Sequence, residues 1–210
     1  ATRGEFVGKQ EEAKEQVHSS RQRGFSWMVA GVIYMIVLGI VVTTSVRPFQ
    51  ASRAAIRGSQ AFASRSEDLA YDYYTRSLNI WTPYRDELSF LTARDLMTLA
   101  SQGTLTTYYK RWKDFYQLSR QANEEEIARH PKNTHPQFLY ARFLHEMAPL
   151  LSISPVDVEE RYRITIETSP KRQQVYYGLA RLYFQTRRPD LAIETYRKVR
   201  DFDPGNGEGS

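Results

Sequence analysis

Cysteine is absent from the 210 residues of this chain. Its absence excludes disulfides, thiolate metal sites and a cysteine nucleophile, although it leaves the cellular compartment open. The sequence also lacks a glycine-rich phosphate loop, an HExxH pair and a nucleophile elbow, which are short motifs typical of catalytic sites. The net charge is +5 and Lys and Arg are interspersed with Asp and Glu, so no basic surface for nucleic acid is indicated. We therefore predict that the chain alone is not an enzyme, uses no cofactor and binds no nucleic acid.

Two groups of residues come closest to a catalytic or metal-binding pattern. His130 and His135 lie five positions apart, each next to a proline, but no thiolate accompanies them, so a surface turn is favoured over a metal site. Three adjacent glutamates occupy 124–126. On a helix their side chains diverge by about 100° each, which prevents them from acting as a carboxylate pair. We interpret the glutamates as a solvated helix face and predict no metal site.

Residues 24–46, GFSWMVAGVIYMIVLGIVVTTSV, contain no charged side chain. At the rise of an α-helix this run covers roughly 30 Å of hydrocarbon, and Trp27 lies near one end, where interfacial aromatics are common. A buried core helix is a weaker interpretation, because so small a domain could not cover all sides of it. A cleaved signal peptide is also disfavoured, because the run is too long and lacks a small-x-small site. We predict a transmembrane helix.

The clearest periodic pattern lies in residues 173–206, QQVYYGLARLYFQTRRPDLAIETYRKVRDFDPGN. Two apolar-periodic runs flank a short break at 187–190, the pattern of two antiparallel helices joined by a tight turn, and Pro189 suits a first helical turn. Large and small residues alternate at fixed offsets, namely Tyr176, Leu179, Ala180, Tyr183, Ala192, Tyr196, Val199 and Pro204. These offsets resemble those of the 34-residue tetratricopeptide repeat.

Related spacings recur earlier in the chain. Tyr140, Ala141 and Leu144 precede Leu179, Ala180 and Tyr183 by 39 residues, whereas Tyr162 and Pro170 precede Tyr196 and Pro204 by 34. The difference predicts five extra residues in the turn between the two helices of this hairpin, within APLLSISP. Gly58 and Ala70 are twelve residues apart, as are Ala180 and Ala192, which indicates a degenerate first repeat. Helices at 84–101 and 104–130 match no repeat offsets and are predicted to form a spacer hairpin.

These patterns predict an all-α fold in which one transmembrane helix precedes a solenoid of α-hairpins. The predicted divisions are a polar segment at 1–23, the transmembrane helix at 24–46, a degenerate repeat with the spacer hairpin at 47–132, two tetratricopeptide-like repeats at 133–206 and a flexible tail at 207–210.

The order of these parts resembles the C-terminal region of bacterial O-antigen ligase and polymerase-type membrane proteins that end in tetratricopeptide repeats. The resemblance covers about 25–206 and includes the Arg47-Pro48 step and YYTRSLNIWTPYRDE. It implies a location in the bacterial inner membrane, and the one apolar run predicts a single pass. Basic residues flank the span equally on both sides, so the side of the soluble domain is undecided, with chain order favouring the extracytoplasmic side. Those enzymes carry their chemistry on earlier membrane helices, and this chain begins at Ala1, so a fragment, a processed product and a separate protein all stay open.

The tetratricopeptide resemblance also assigns a concave face for partner binding. Its predicted residues are Phe138, Arg142, His145, Gln174, Tyr177, Arg181 and Phe184. In both repeats an aromatic precedes an Arg by four positions and is expected to support the Arg side chain. The same pattern would arise if the aromatics only packed in the core and the arginines only kept the surface soluble. The leading hypothesis is a membrane-anchored interaction module whose arginines bind an acidic segment of a partner protein in a membrane complex. The alternatives are an accessory region of a glycan ligase or polymerase and a structural subunit of a large membrane assembly.

Overall fold

A computed structural model describes Val29 and residues 31–202. The polar segment at 1–23, the start of the predicted membrane span and the tail at 207–210 lie outside the described residues. Every regular element within the described residues is a helix, so the fold is all-α. The chain divides into two compact units, Ala1–Arg47 and Pro48–Ser210.

The described part of the first unit is apolar and helical. One helix, Gly31–Ala63, is long and apolar enough to cross a membrane, and its side chains from Val32 to Val41 are exposed. It contains a π-helical turn at Val42–Val46, where the Thr44 hydroxyl donates to the Ile40 carbonyl at 2.7 Å. By length and composition this helix is a candidate membrane anchor or signal sequence.

The second unit consists of consecutive helices that pack on their neighbours. They are α1 (Arg47–Ala63), α2 (Glu67–Asn79), α3 (Arg85–Ser101), α4 (Leu105–Tyr108), α5 (Trp112–Arg129), α6 (Thr134–Leu151), α7 (Pro155–Thr168), α8 (Gln173–Gln185) and α9 (Pro189–Phe202). The pairs α6–α7, α7–α8 and α8–α9 are in contact, and α3 packs on both α5 and α6. The predicted spacer hairpin is therefore part of the helical stack.

The expected single helix at 104–130 is interrupted between α4 and α5. Tyr109 has an extended backbone, its ring stacks on Phe62 at 4.5 Å, and its hydroxyl donates to the Phe62 carbonyl at 2.8 Å. The Glu67 carboxylate accepts the backbone N–H groups of Lys110 and Arg111, at 3.1 Å and 2.6 Å. These contacts with α1 and α2 replace helical hydrogen bonds and end α4 early.

The five extra residues lie mainly in a helix, and the prediction that they lengthen the turn is wrong. α6 has 18 residues and α8 has 13, so the difference equals the insertion. α6 includes Pro149 and ends before Ser152, which has a left-handed backbone. α7 then begins at Pro155, because the Ser154 hydroxyl accepts the Val156 N–H at 3.2 Å and a proline suits the first helical turn.

Ser66 occupies the N-cap position of α2, but its side chain makes no capping hydrogen bond. Its Oγ lies 3.4 Å from the Ser64 hydroxyl instead. The acidic residues Glu67 and Asp68 occupy the first turn, where their negative charges interact favourably with the positive end of the helix dipole.

Buried tyrosines fill the spaces between helices. Tyr74, Tyr140 and Tyr162 are at most 2% exposed. Tyr74 and Tyr162 pack against glycines, since a Cβ added at Gly58 would lie 2.8 Å from Tyr74 and one added at Gly178 would lie 2.6 Å from Tyr162. The packing of the core therefore depends on large tyrosine side chains that face glycines, which have no side chain.

Candidate protein-binding face

Arg142 and Arg181 lie on different helices and have different surroundings. Nη1 of Arg181 donates to Oε1 of Glu146 at 2.8 Å, which joins α8 to α6. Arg142 is exposed and, within residues 31–202, makes no hydrogen bond or ion pair. Glu146 follows Arg142 by four residues, so the two lie one turn apart on the same side of α6. The three side chains form a charge row, Arg142, Glu146 and Arg181, in which Arg142 makes no ion pair within the described residues.

The aromatic residues of the predicted face do not support the expected arginines. Phe138 is half-buried under the guanidinium of Arg172, which lies 5.0 Å from the ring centroid. Tyr177 instead packs on Tyr196, with 5.9 Å between ring centroids. Arg172 also donates through Nε to the exposed Gln174 at 3.2 Å.

Two of these aromatic side chains are accessible. Tyr177 is 48% exposed and Phe184 is 73% exposed. Exposed aromatics beside an arginine are typical of residues that contribute strongly to protein interfaces.

His145 does not belong to an accessible face. It is 5% exposed, with Nδ1 3.1 Å from the Tyr162 hydroxyl and Nε2 2.5 Å from Oε1 of Gln185. Burial lowers the pKa of His145, against the smaller opposing effect of the Gln185 hydrogen bond. The prediction placed it on the binding surface because repeat offsets give the helix face only approximately. In the structure it links α6 to α7 and α8.

A second buried polar centre, Glu159, has no counterpart among the predicted site residues. Its carboxylate accepts from Arg163 at 2.6 Å, Arg188 at 2.8 Å and the Tyr183 hydroxyl at 2.8 Å. Burial alone would raise the pKa of Glu159, but the three hydrogen bonds outweigh it and hold the pKa below its usual value. These contacts stabilise the packing of α7 against α8 and its following turn.

The sequence suggested that the glutamates at 124–126 form a solvated helix face. The structure does not show such a face. Oε1 of Glu124 accepts the Tyr140 hydroxyl at 2.6 Å, Glu125 pairs with Arg85 at 2.7 Å, and the side chain of Glu126 is 6% exposed. Because the three side chains diverge, Glu124 reaches α6 and Glu125 reaches α3, whereas Glu126 pairs with Arg129 at the end of its own helix. Glu124 and Glu125 therefore hold α5 to α6 and α3.

The described residues contain no group of three or more His, Asp or Glu side chains that could hold a metal ion. A surface cavity of about 580 Å³ lies among α5, α6 and α7. Its Arg120 is paired with Glu124 at 2.9 Å, and Arg161 lies 5.4 Å from the Tyr140 ring centroid. Because these polar groups already contact one another, the cavity is a weaker candidate than the charge row.

No protein-family model and no curated protein matches the chain. The fold is similar to solved structures of YrrB, described as a TPR protein with an unusual peptide-binding site (14% identity, TM-score 0.48, 74% of this chain and 70% of that one), and of MamA from MSR-1 (15% identity, TM-score 0.48, 89% and 96%). It is also similar to TTC0263, a thermophilic TPR protein of Thermus thermophilus (16% identity, TM-score 0.42, 74% and 93%). The comparisons give no support to the O-antigen ligase resemblance. The structures that this chain resembles are tetratricopeptide-repeat proteins.

Proposed function

We propose that this chain is a membrane-anchored scaffold that binds a partner protein through the charge row on α6 and α8. The observation that carries the proposal is the unequal pairing of its arginines. Arg142 is exposed and makes no hydrogen bond or ion pair among the described residues, whereas Arg181 is held by Glu146 at 2.8 Å. An acidic segment of the partner would bind Arg142 first and then compete with Glu146 for Arg181.

The exchange is asymmetric. The side chain of Arg181 is 54% exposed but that of Glu146 is only 13% exposed, so displacing Glu146 leaves a mostly buried carboxylate without its ion-pair partner, which costs free energy. A partner carboxylate that binds Arg in bidentate geometry gains a stronger, directional contact, and this contact must offset that cost. The Glu146 pair therefore acts as an internal competitor for Arg181.

Tyr177 and Phe184 add an apolar component to the proposed surface. Both lie on α8 with Arg181, and both are about half exposed or more. An acidic segment that also carries an apolar side chain would match this combination of charge and aromatic surface.

The anchor is the apolar run at 24–46, and we propose a single-pass location in the bacterial inner membrane with the soluble domain on the extracytoplasmic side. The exposed apolar side chains of the described part support a membrane span. The inner membrane and the extracytoplasmic side are proposed from the order of the sequence segments. The alternative, an accessory C-terminal region of a glycan ligase or polymerase, depends only on the order of parts. Many hydrophobic spans encoded upstream of Ala1 would favour it, and a start codon there would favour the scaffold or a structural subunit.

Site-specific photo-crosslinking in cells tests the binding surface. A photoreactive amino acid at Phe184 should capture a defined partner, and the same group at Ile164, an exposed position on α7, is the matched control. Arg142→Glu should abolish the Phe184 crosslink, whereas Glu146→Gln should strengthen it by releasing Arg181. A crosslink that is equally strong at Ile164, or that is insensitive to both substitutions, would contradict the proposal.

A further inference from the structure

A cavity of about 220 Å³ lies between α1 and α2, away from the charge row. It is lined by Gln50, Arg53, Ala54, Arg57, Tyr73 and Arg76. Half of these residues are arginines and none is acidic. The cavity is therefore a concave surface with three positive charges at its wall.

No carboxylate of the described part of the protein forms an ion pair with the arginines of this cavity. Arg53 and Arg57 lie four residues apart on α1, where like charges destabilise a helix. Among residues 31–202, Arg53 and Arg76 make no hydrogen bond or ion pair, and the contact of Arg57 is with the ring of Tyr73, 6.0 Å from the centroid. By contrast, Arg85 and Arg188 each pair with a carboxylate at 2.8 Å or less. The cavity thus presents cationic side chains that are suited to an anion.

We propose that this cavity binds a phosphate group. Guanidinium groups match the geometry and charge of phosphate oxygens and donate two parallel hydrogen bonds. Gln50 and Tyr73 line the same cavity, and their side chains carry neutral hydrogen-bond donors. Three cations around one concavity suit a group that presents several negatively charged oxygens.

Two sources can supply this phosphate, an anionic lipid headgroup or a free phosphate ion. Arg53 follows the end of the apolar run at Val46 by seven residues, and seven residues span at most about 25 Å even when fully extended. If the run anchors the chain, Arg53 is within reach of the headgroup region, where arginines attract anionic lipid. The lipid source rests on the proposed anchoring, but the phosphate site does not.

Two variants that lose the same number of positive charges distinguish binding at this cavity from a general effect of the protein's net charge. The site variant carries Arg53→Gln, Arg57→Gln and Arg76→Gln. The control variant carries Lys132→Gln, Lys171→Gln and Arg197→Gln, three exposed positions outside the cavity. Each variant loses three positive charges, and circular dichroism checks that both keep the helical content of the wild type.

The full chain in neutral detergent is titrated with phosphatidylglycerol or phosphatidylcholine and examined by native mass spectrometry. In a second arm, thermal unfolding is compared in inorganic phosphate and in chloride of equal ionic strength. We expect the wild type and the control to retain phosphatidylglycerol over phosphatidylcholine by about tenfold or more, and the site variant to lose most of this preference. Lipid preference without stabilisation by phosphate identifies the headgroup, and stabilisation by phosphate without lipid preference identifies the free ion. Absence of both effects in the wild type would overturn the proposal, and this outcome does not depend on the folding of the site variant. Equal losses in the two variants would also overturn it.

Discussion

Gly178 on α8 lies directly against the ring of Tyr162 on α7. A Cβ atom added at Gly178 would come within 2.6 Å of Cε1 and 2.7 Å of the hydroxyl oxygen of Tyr162. Tyr162 is 1% exposed, so the ring has little space in which to move. The close approach of α7 and α8 therefore requires glycine at this position.

We expect Gly178→Ala to lower the free energy of unfolding by about 1 kcal/mol, because overpacking costs about 1–3 kcal/mol and only part is offset by the higher helix propensity of alanine. Urea unfolding of the full chain in mild detergent measures the change. In a Tyr162→Leu background, the same substitution should be neutral or stabilising, because the ring that it would contact is gone. Equal losses in both backgrounds would show that the contact is not the cause.

Glu159→Gln should destabilise the protein by about 1–3 kcal/mol near neutral pH, because it weakens charge-assisted hydrogen bonds from Arg163, Arg188 and Tyr183. Chemical denaturation at pH 7 measures the loss. The matched control is Glu194→Gln, which removes an exposed pair with Lys198 at 3.0 Å and should cost no more than about 0.5 kcal/mol.

The contribution of Glu159 should also depend on pH. Its folded pKa lies below the usual value, so the stabilisation is complete above an unfolded pKa of about 4.3 and is lost as the pH falls through the folded pKa. The difference between wild type and Glu159→Gln should therefore shrink under acid conditions. A difference that stays constant down to the acid transition would contradict the assignment.

His145 should make folding stability depend on pH in a higher range. Burial lowers its pKa in the folded state, so the unfolded chain binds the proton more readily. The stabilisation is complete above an unfolded pKa of about 6.5 and is lost as the pH falls towards the lowered folded pKa. Unfolding free energies of wild type should decrease over this range, and His145→Gln should reduce the decrease. Substitution of the exposed His130 by Gln is the control and should leave the decrease in place.

The apolar run at 24–46 should keep the chain in membranes during extraction with alkaline carbonate, because a spanning helix buries its side chains in hydrocarbon. Deletion of 24–46 should release the chain into the soluble fraction. Release of the intact chain by carbonate would contradict anchoring. A mature protein that starts after residue 46 would identify the run as a cleaved signal.

Residue spacing predicted those parts of the fold that depend on local periodicity. Tyr140, Ala141 and Tyr162 are all buried in the α6–α7 hairpin, as repeat offsets require, and α9 begins at Pro189. Small residues at a helix crossing leave a recognisable spacing because the helices can approach only there.

Contacts between distant residues could not be predicted in the same way. The break before α5 depends on Tyr109 and Phe62, which are 47 residues apart, and no local pattern encodes that pair. The burial of His145 depends on Gln185, which is 40 residues away. Histidine is compatible with both a surface and a hydrogen-bonded core, so sequence alone did not distinguish the two.

The capping of α5 by Glu67 limits how the chain can be divided. The first residue of α2 accepts the two backbone N–H groups that precede α5, and Asp68 pairs with Arg111 at 2.5 Å. A shortened protein that starts after α2 would leave those donors without their acceptor and uncover the Tyr109 side of the core. The N-terminal turn of α2 is therefore a packing partner of α5, and we expect a shortened protein that starts after Glu67 to be less stable than one that includes it.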